Sequence, residues 1–192
     1  MNRSTESAKM HEIPLSERLP GARRYSSSGK MMKYDSLIEL GLVEEQASDN
    51  AEVLGLMTRA ERDLETCRLL QKTDEEWAFA VAYQAMSRSA RALIMAEGFR
   101  PRGARGRDAQ KTIVTAAGVI LGEGHKSLIN KFDRMRRKHQ NFLEDPGRVI
   151  SRYESDQAIK DAEELMELVR GRIRDKYSQM SLLNGGAQLA SR

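Results

Sequence analysis

The sequence predicts an all-α protein, an antiparallel bundle of four or five helices. The first observation behind this prediction is composition: aromatic residues make up 5% of the 192 residues and charged residues 31%, and ten methionines accompany many Ala, Leu and Glu. The second is that apolar residues recur three and four positions apart along several long segments. The third is that no stretch of useful length shows the alternation of apolar and polar residues that is typical of a strand.

The two ends of the chain lack this periodicity. Residues 1–32 are rich in Ser, Arg, Gly and Pro, which predicts a disordered N-terminal arm. A short helix follows in "YDSLIELGLV" and stops at Gly41. We expect the helical bundle to occupy residues 33–178 and residues 179–192 to form a flexible tail.

The first long helix is predicted from about residue 50 to residue 72. Its apolar residues keep to one face, which predicts burial of that face. They are Val53, Leu56, Met57, Ala60, Leu64, Cys67 and Leu70. Cys67 is the single cysteine, so the sequence excludes an internal disulfide and a cysteine-based zinc site, and a buried free thiol is expected.

The second long helix is predicted from about residue 74 to residue 97, ending at Gly98. "TDEE" predicts a capping box at its start, with Thr73 as N-cap and Glu76 three residues later. Small residues follow one another at helical spacing, and this lets other helices approach closely, so we expect a central helix. They are Ala78, Ala82, Ala85, Ser89 and Ala92. Trp77 and Tyr83 are expected at its edges.

Three more helices complete the prediction. A basic loop containing Gly103 and Gly106 leads into a third helix, which ends near Gly122. The fourth runs from about residue 125 to residue 143, where Pro146 and Gly147 stop it. The fifth begins near residue 155 and carries an amphipathic stripe from Ile159 to Tyr177.

The order of these segments resembles the HEPN family (higher eukaryote and prokaryote nucleotide-binding domain). The resemblance covers about residues 32–177 and is carried by "RAERDLETCRLL", "EEWAFAVAYQAMSRSARALIMAEGFRP" and "LINKFDRMRRKHQNFLEDPG". It implies a four- or five-helix bundle that forms a homodimer. Many members are metal-independent ribonucleases of toxin–antitoxin or anti-phage systems, whose partner is a nucleotidyltransferase-like antitoxin. Others are non-catalytic modules that bind RNA or a nucleotide.

Catalytic members of this family carry an arginine, four to six further residues and then a histidine. Arg134 and His139 match this spacing. The resemblance implies that His139 takes the proton of a ribose 2′-hydroxyl, and that the arginine neutralises the charge developing on the attacked phosphate. Arg136 is the alternative arginine. This chemistry implies no metal and no cofactor.

The helical pattern leaves the role of these residues open. Leu128, Phe132, Met135, His139 and Phe142 share one face, so His139 is either a packed or interface histidine or the catalytic base. Arg134 lies about 140° around an ideal helix from His139, whereas Arg136 precedes the histidine by one turn. Either arginine is functional or is an ordinary solvated side chain.

The net charge of +4 permits contact with an acidic partner, and the basic residues are unevenly distributed. Seven of them are candidates for RNA or phosphate contacts. They are Arg100, Arg102, Arg105, Arg107, Lys131, Arg137 and Lys138. The alternatives are a solubilising surface or a docking site for an acidic antitoxin. Residues 44–76 are rich in acids, and Asp63 is expected to pair with an arginine across the bundle.

No apolar run approaches the roughly 20 residues of a membrane span, and the N-terminus lacks the apolar core of a secretory signal. We therefore expect a cytoplasmic protein. Three hypotheses for its function remain: a ribonuclease toxin, a non-catalytic module that binds RNA, a nucleotide or a nucleotidyltransferase-like partner, and a purely structural subunit. The first two differ in whether His139 and an arginine converge in one polar groove.

Overall fold

A computed structural model describes residues 28–102, 107–144 and 149–189, and within these ranges the chain folds into a helical bundle with two short strands. The elements are α1 (Ser28–Glu39), β1 (Val43–Glu45), α2 (Asn50–Leu70), α3 (Glu75–Ala96), β2 (Phe99–Pro101), α4 (Arg107–Leu121), α5 (Lys126–Glu144) and α6 (Arg152–Leu189). The all-α prediction is therefore confirmed. The first 27 residues of the predicted arm, Gly103, Gly106 and the predicted stop at Pro146 and Gly147 fall outside the described residues.

Two helices extend beyond the boundaries predicted for the bundle. Helix α1 begins at Ser28, inside the segment predicted as an arm, and α6 continues to Leu189, past the predicted boundary at 178. The buried apolar residues run from Leu37 to Ile173, so the core lies inside both the predicted boundaries and the observed helix ends.

Helix α3 is the centre of the bundle, as its small residues predicted. All five residues of the small-residue stripe are fully buried, and α2, α4, α5 and α6 pack against the helix. Tyr83, expected at an edge, is only 1% exposed, because α5 covers this side of α3 and places Phe132 and His139 against the ring. Trp77 is 54% exposed and lies at the surface.

The predicted capping box at the start of α3 is wrong. The N-cap is Asp74, whose Oδ1 accepts a hydrogen bond from the Trp77 amide at 3.0 Å. The Thr73 amide and hydroxyl both donate to the Leu70 carbonyl instead, so Thr73 closes the end of α2. Glu76 does not bond the start of its own helix. Its Oε1 accepts a hydrogen bond at 3.4 Å from the amide of Ile150, which lies just before α6.

The two strands were not predicted, because three residues are too few to show a period of two. They pair antiparallel, with Val43 opposite Pro101 and Glu45 opposite Phe99. Gly98 lies between α3 and β2 and adopts a φ of 90°, a conformation that favours glycine. This turn ends the helix and lets the chain enter β2 at the next residue. Phe99 then packs edge-on against Tyr34 of α1, with ring centroids 5.4 Å apart.

Ion pairs connect helices that are distant in the chain. As expected, Asp63 of α2 pairs with an arginine across the bundle, Arg88 of α3. Glu97, at the end of α3, has a buried carboxylate that lies 3.0 Å from the Nζ of Lys176 on α6. Burial and the nearby Glu97 raise the pKa of Tyr34 to about 12, which places α1 beside the same carboxylate.

Cys67 is fully buried on α2, as its position on the apolar face predicted. Its Sγ donates to the Leu64 carbonyl at 3.1 Å, and burial raises the pKa of the thiol to about 11. The thiol is therefore protonated at neutral pH, which is the unreactive form.

Candidate functional site

Helix α5 packs against α3, α4 and α6. His139 lies on the side of α5 that faces α3. The imidazole is 4% exposed and its ring centroid lies 4.5 Å from that of Tyr83. Its Nδ1 is buried and finds no hydrogen-bond partner among the described residues. Burial lowers the pKa of His139 below its ordinary value of 6.5, so the ring is neutral at neutral pH.

Arg136 lies one turn before His139 and is also buried, with 8% of its surface exposed. Its Nε donates to Asp133 Oδ1 at 2.8 Å, and its Nη1 donates to Gln140 Oε1 at 3.1 Å. Gln140 Nε2 in turn donates to Gln110 Oε1 on α4 at 3.3 Å. The guanidinium is thus fixed by a polar network on the α4 side of α5.

Arg134 lies on another side of α5, in a groove between α5 and α6. The side chain is exposed and makes no ion pair with any described residue. Because α5 is continuous through this segment, Arg134 stays about 140° from His139 around the helix. The structure therefore buries both Arg136 and His139, which are one turn apart on α5, and leaves Arg134 exposed on another side.

The groove between α5 and α6 has a volume of about 510 Å³. Arg134 and Met135 line it from α5, Phe79 from α3, and Tyr153 and Gln157 from α6. Tyr153 is 76% exposed at its edge. The groove thus combines an unpaired cation, an accessible aromatic ring and an apolar floor.

Two ion pairs cross the same groove. Lys131 Nζ lies 2.8 Å from Asp161 Oδ1, and Lys138 pairs with Glu154. The bond from Lys138, followed by the Ser151 amide, lowers the pKa of Glu154 to about 2. Glu154 is therefore ionised at neutral pH. Of the cations that line the groove, Arg134 has no ion-pair partner among the described residues.

The α6 residues of this groove were missed by the sequence reasoning. Tyr153, Gln157 and Asp161 follow one another at intervals of four, which places them on one side of a helix. That spacing flanks the apolar stripe of α6 and was a usable signal. It did not reveal which part of α5 the residues would face, because the packing of α6 on α5 sets that register.

The seven predicted RNA-contacting residues are mostly engaged with carboxylates or lie outside the description. Arg102 pairs with Glu44 at 3.1 Å and Arg137 with Asp133 at 3.2 Å, and both lysines form the groove pairs above. Arg100 is exposed on β2 and makes no ion pair with the residues that the structure describes. Arg105 lies outside the described residues, as does the side chain of Arg107 at the start of α4.

Within the described ranges, no three His, Cys, Asp or Glu side chains cluster in a way that could hold a metal ion. None of the helices in these ranges combines the length and the apolar character that crossing a membrane requires.

Comparison with known proteins places the chain in a family. The model of the HEPN domain matches residues 53–172, which is more than half of the chain and extends from α2 into α6. No curated protein matches the chain. No solved structure matches it either. The chain belongs to the HEPN domain family.

Proposed function

We propose that this chain is a non-catalytic HEPN module that binds a nucleotide unit, free or within single-stranded RNA, in the groove between α5 and α6. The observation that carries the proposal is the separation of the two motif residues. Arg134 is exposed in the groove without an acidic partner, whereas His139 is buried behind it against Tyr83. The groove can bind a phosphate, but the histidine is out of reach of a ribose in it.

Each part of a nucleotide has a complementary feature in the groove. The guanidinium of Arg134 presents a planar fork that pairs with phosphate oxygens through two hydrogen bonds. The exposed ring of Tyr153 offers a surface on which a base stacks. A volume of about 510 Å³ falls within the roughly 300–1,000 Å³ that is common for small-ligand sites.

The acidic residues of the groove do not oppose this binding. Asp161 and Glu154 are each paired with a lysine, so their charges are compensated locally. A phosphate at Arg134 therefore meets a guanidinium that has no ion-pair partner among the described residues.

A metal-independent endoribonuclease, the toxin of a toxin–antitoxin or anti-phage system, is the second candidate. The observation that favours it is the position of Arg136 and His139, which are both buried and lie one turn apart on α5. The neutral imidazole also suits a general base. With the histidine 4% exposed, this activity requires α5 to move, or a partner subunit to remodel the site.

The family resemblance supports further proposals for the setting of either activity. We propose a cytoplasmic homodimer, and a nucleotidyltransferase-like antitoxin as the partner of the toxin alternative. The dimer matters for the second candidate, since a second chain is the simplest source of the missing contacts around His139.

Calorimetric titration with adenosine monophosphate tests nucleotide binding. We expect Arg134→Gln to weaken binding by roughly tenfold or more, because a charge-assisted hydrogen bond contributes about 1.5–3 kcal/mol. Tyr153→Ala removes the stacking surface and is expected to cost about 1–3 kcal/mol. Arg174→Gln, which removes an exposed charge on α6, is the matched control and leaves binding unchanged. Equal affinities for wild type and Arg134→Gln would rule out the groove.

A further inference from the structure

A second group of arginines lies on the outer face of α2 and α3. Arg59 and Arg62 belong to α2, and Arg88 and Arg91 belong to α3. None of them was among the basic residues singled out in the sequence, because the two on α2 are embedded in its acid-rich segment. We call Arg59, Arg62, Arg88 and Arg91 the arginine face.

The ion pair between Asp63 and Arg88 fixes how the two helices meet at this face. Helices α2 and α3 are consecutive and tightly packed, so residues before Asp63 on α2 lie beside residues after Arg88 on α3. Arg59 lies one turn before Asp63, and Arg91 lies nearly one turn after Arg88. Burial lowers the pKa of Arg88, and so does Arg59, which lies beside it.

The charge of the arginine face is largely uncompensated. Asp63 is paired with Arg88. Arg59, Arg62 and Arg91 form neither an ion pair nor a side-chain hydrogen bond with any residue in the described part of the chain. Arg59 and Arg88 are close enough to repel each other, and an anion bound at the face would relieve this repulsion.

The composition of the face favours a nucleic-acid strand over an acidic protein segment. All four cations are arginines, whose forked donors suit phosphate oxygens. Residues three apart on a helix have Cβ atoms about 5–6 Å apart, a spacing at which neighbouring side chains can contact successive phosphates of one strand.

We propose that the arginine face binds the phosphodiester backbone of single-stranded nucleic acid, as a second site distinct from the α5–α6 groove. Phe79 lines that groove, and Arg88 lies nine residues later on α3, about 180° around the helix. The two sites therefore lie on opposite sides of the central helix. The arginine face does not depend on the groove being a nucleotide site, and each can be removed without the other.

Fluorescence anisotropy with a labelled single-stranded RNA, measured over a series of salt concentrations, tests the proposal. The double variant Arg59→Gln/Arg91→Gln is expected to bind roughly tenfold more weakly. The slope of log affinity against log salt should fall in magnitude by about 1.4, because each phosphate contact on a single strand contributes about 0.7. The control Lys160→Gln/Arg174→Gln removes the same charge from exposed positions on α6 and should keep the wild-type slope.

Thermal unfolding shows that a loss of binding is not a loss of fold. Removing Arg59 relieves its repulsion of Arg88, so the double variant should unfold at the same temperature as wild type or at a higher one. A wild-type affinity and salt slope in the folded double variant would overturn the proposal. Competition by polyglutamate as effective as by RNA of equal charge would also overturn it, and would assign the face to an acidic protein segment.

Mononucleotide titration separates this proposal from the previous one. The double variant should bind adenosine monophosphate like wild type, and Arg134→Gln should retain the salt dependence that the arginine face contributes. If Arg134→Gln alone abolished that dependence, the backbone contacts would belong to the groove and the arginine face would carry none.

Discussion

At the scale of residues, Arg134 and His139, the two residues with the spacing predicted for a catalytic pair, occupy different environments. His139 is shielded from solvent by Tyr83, and its Nδ1 has no hydrogen-bond partner among the described residues. A protonated imidazole at this place would be desolvated, which is why burial lowers the pKa of His139. Arg134, by contrast, is exposed in the groove and free to bind an anion.

The buried imidazole is expected to make stability depend on pH. Since the pKa of His139 is lower in the folded protein than in the unfolded chain, unfolding takes up a proton in the pH interval between the two pKa values, which begins at about 6.5 and extends downward. The stability that the neutral ring contributes is fully present above that pH and is lost as the pH falls through it. Thermal unfolding of wild type should therefore occur at a lower temperature at about pH 5.5 than at about pH 7.

The variant His139→Phe keeps a ring beside Tyr83 and removes the titrating group, so its unfolding temperature should change less over this interval. Glu154 does not interfere. Its pKa of about 2 is depressed from 4.5, and the stability it contributes is lost only as the pH falls below that ordinary value. An equal decrease in both proteins would show that His139 is not the group responsible.

The sequence predicts the direction of a side chain when the periodicity of a single helix determines it. It does not predict contacts that depend on how two helices pack. The apolar stripe of α5 predicted that His139 faces inward, and the helical angle predicted that Arg134 points elsewhere. The burial of Arg136 could not be foreseen, because it depends on Gln110 of α4 reaching Gln140. The capping-box pattern predicts Thr73 as the N-cap of α3. The neighbouring residue, Asp74, is equally able to cap a helix and does so in the structure.

At the scale of elements, the turn at the end of α3 leads into the strand pairing that connects α1 to the bundle. Gly98 adopts a positive φ, the chain enters β2, and the two-stranded pairing with β1 connects α1 to the bundle. The Gly98 carbonyl also accepts a hydrogen bond from the Gln46 amide at 2.9 Å. The glycine was predicted as a helix stop, and the strands it leads into were not.

Gly98→Ala is expected to destabilise the protein by about 1–2 kcal/mol, because a side chain is disfavoured at its φ of 90°. Space is not the reason, since a Cβ there would meet the nearest atom, the Gln46 carbonyl oxygen, at 3.8 Å. Gly55→Ala is the control, because an added Cβ inside α2 would meet nothing within 4 Å. It should stabilise by about 0.5–1 kcal/mol. Chemical denaturation measures both, and a neutral Gly98→Ala would contradict this explanation of the turn.

At the scale of the whole molecule, α3 separates two basic surfaces of different character. The α5–α6 groove holds one arginine without an ion-pair partner among the described residues, which suits a single nucleotide unit. The arginine face holds three arginines that form no ion pair with the described residues, which suits an extended strand. The sequence predicted the bundle and its central helix, because periodicity and small residues express them directly. It could not predict either surface, since each is assembled from two helices.

We propose that the folded chain binds a nucleotide unit through Arg134 and does not cut RNA. The most direct test incubates labelled single-stranded RNA with the purified full chain in the presence of a metal chelator, and then measures both the bound fraction and the length of the RNA. We expect the RNA to be bound and intact, and His139→Phe to behave like wild type. Cleavage in the chelator that is lost in His139→Phe, in a variant that remains folded, would contradict the claim and assign the chain to the ribonucleases.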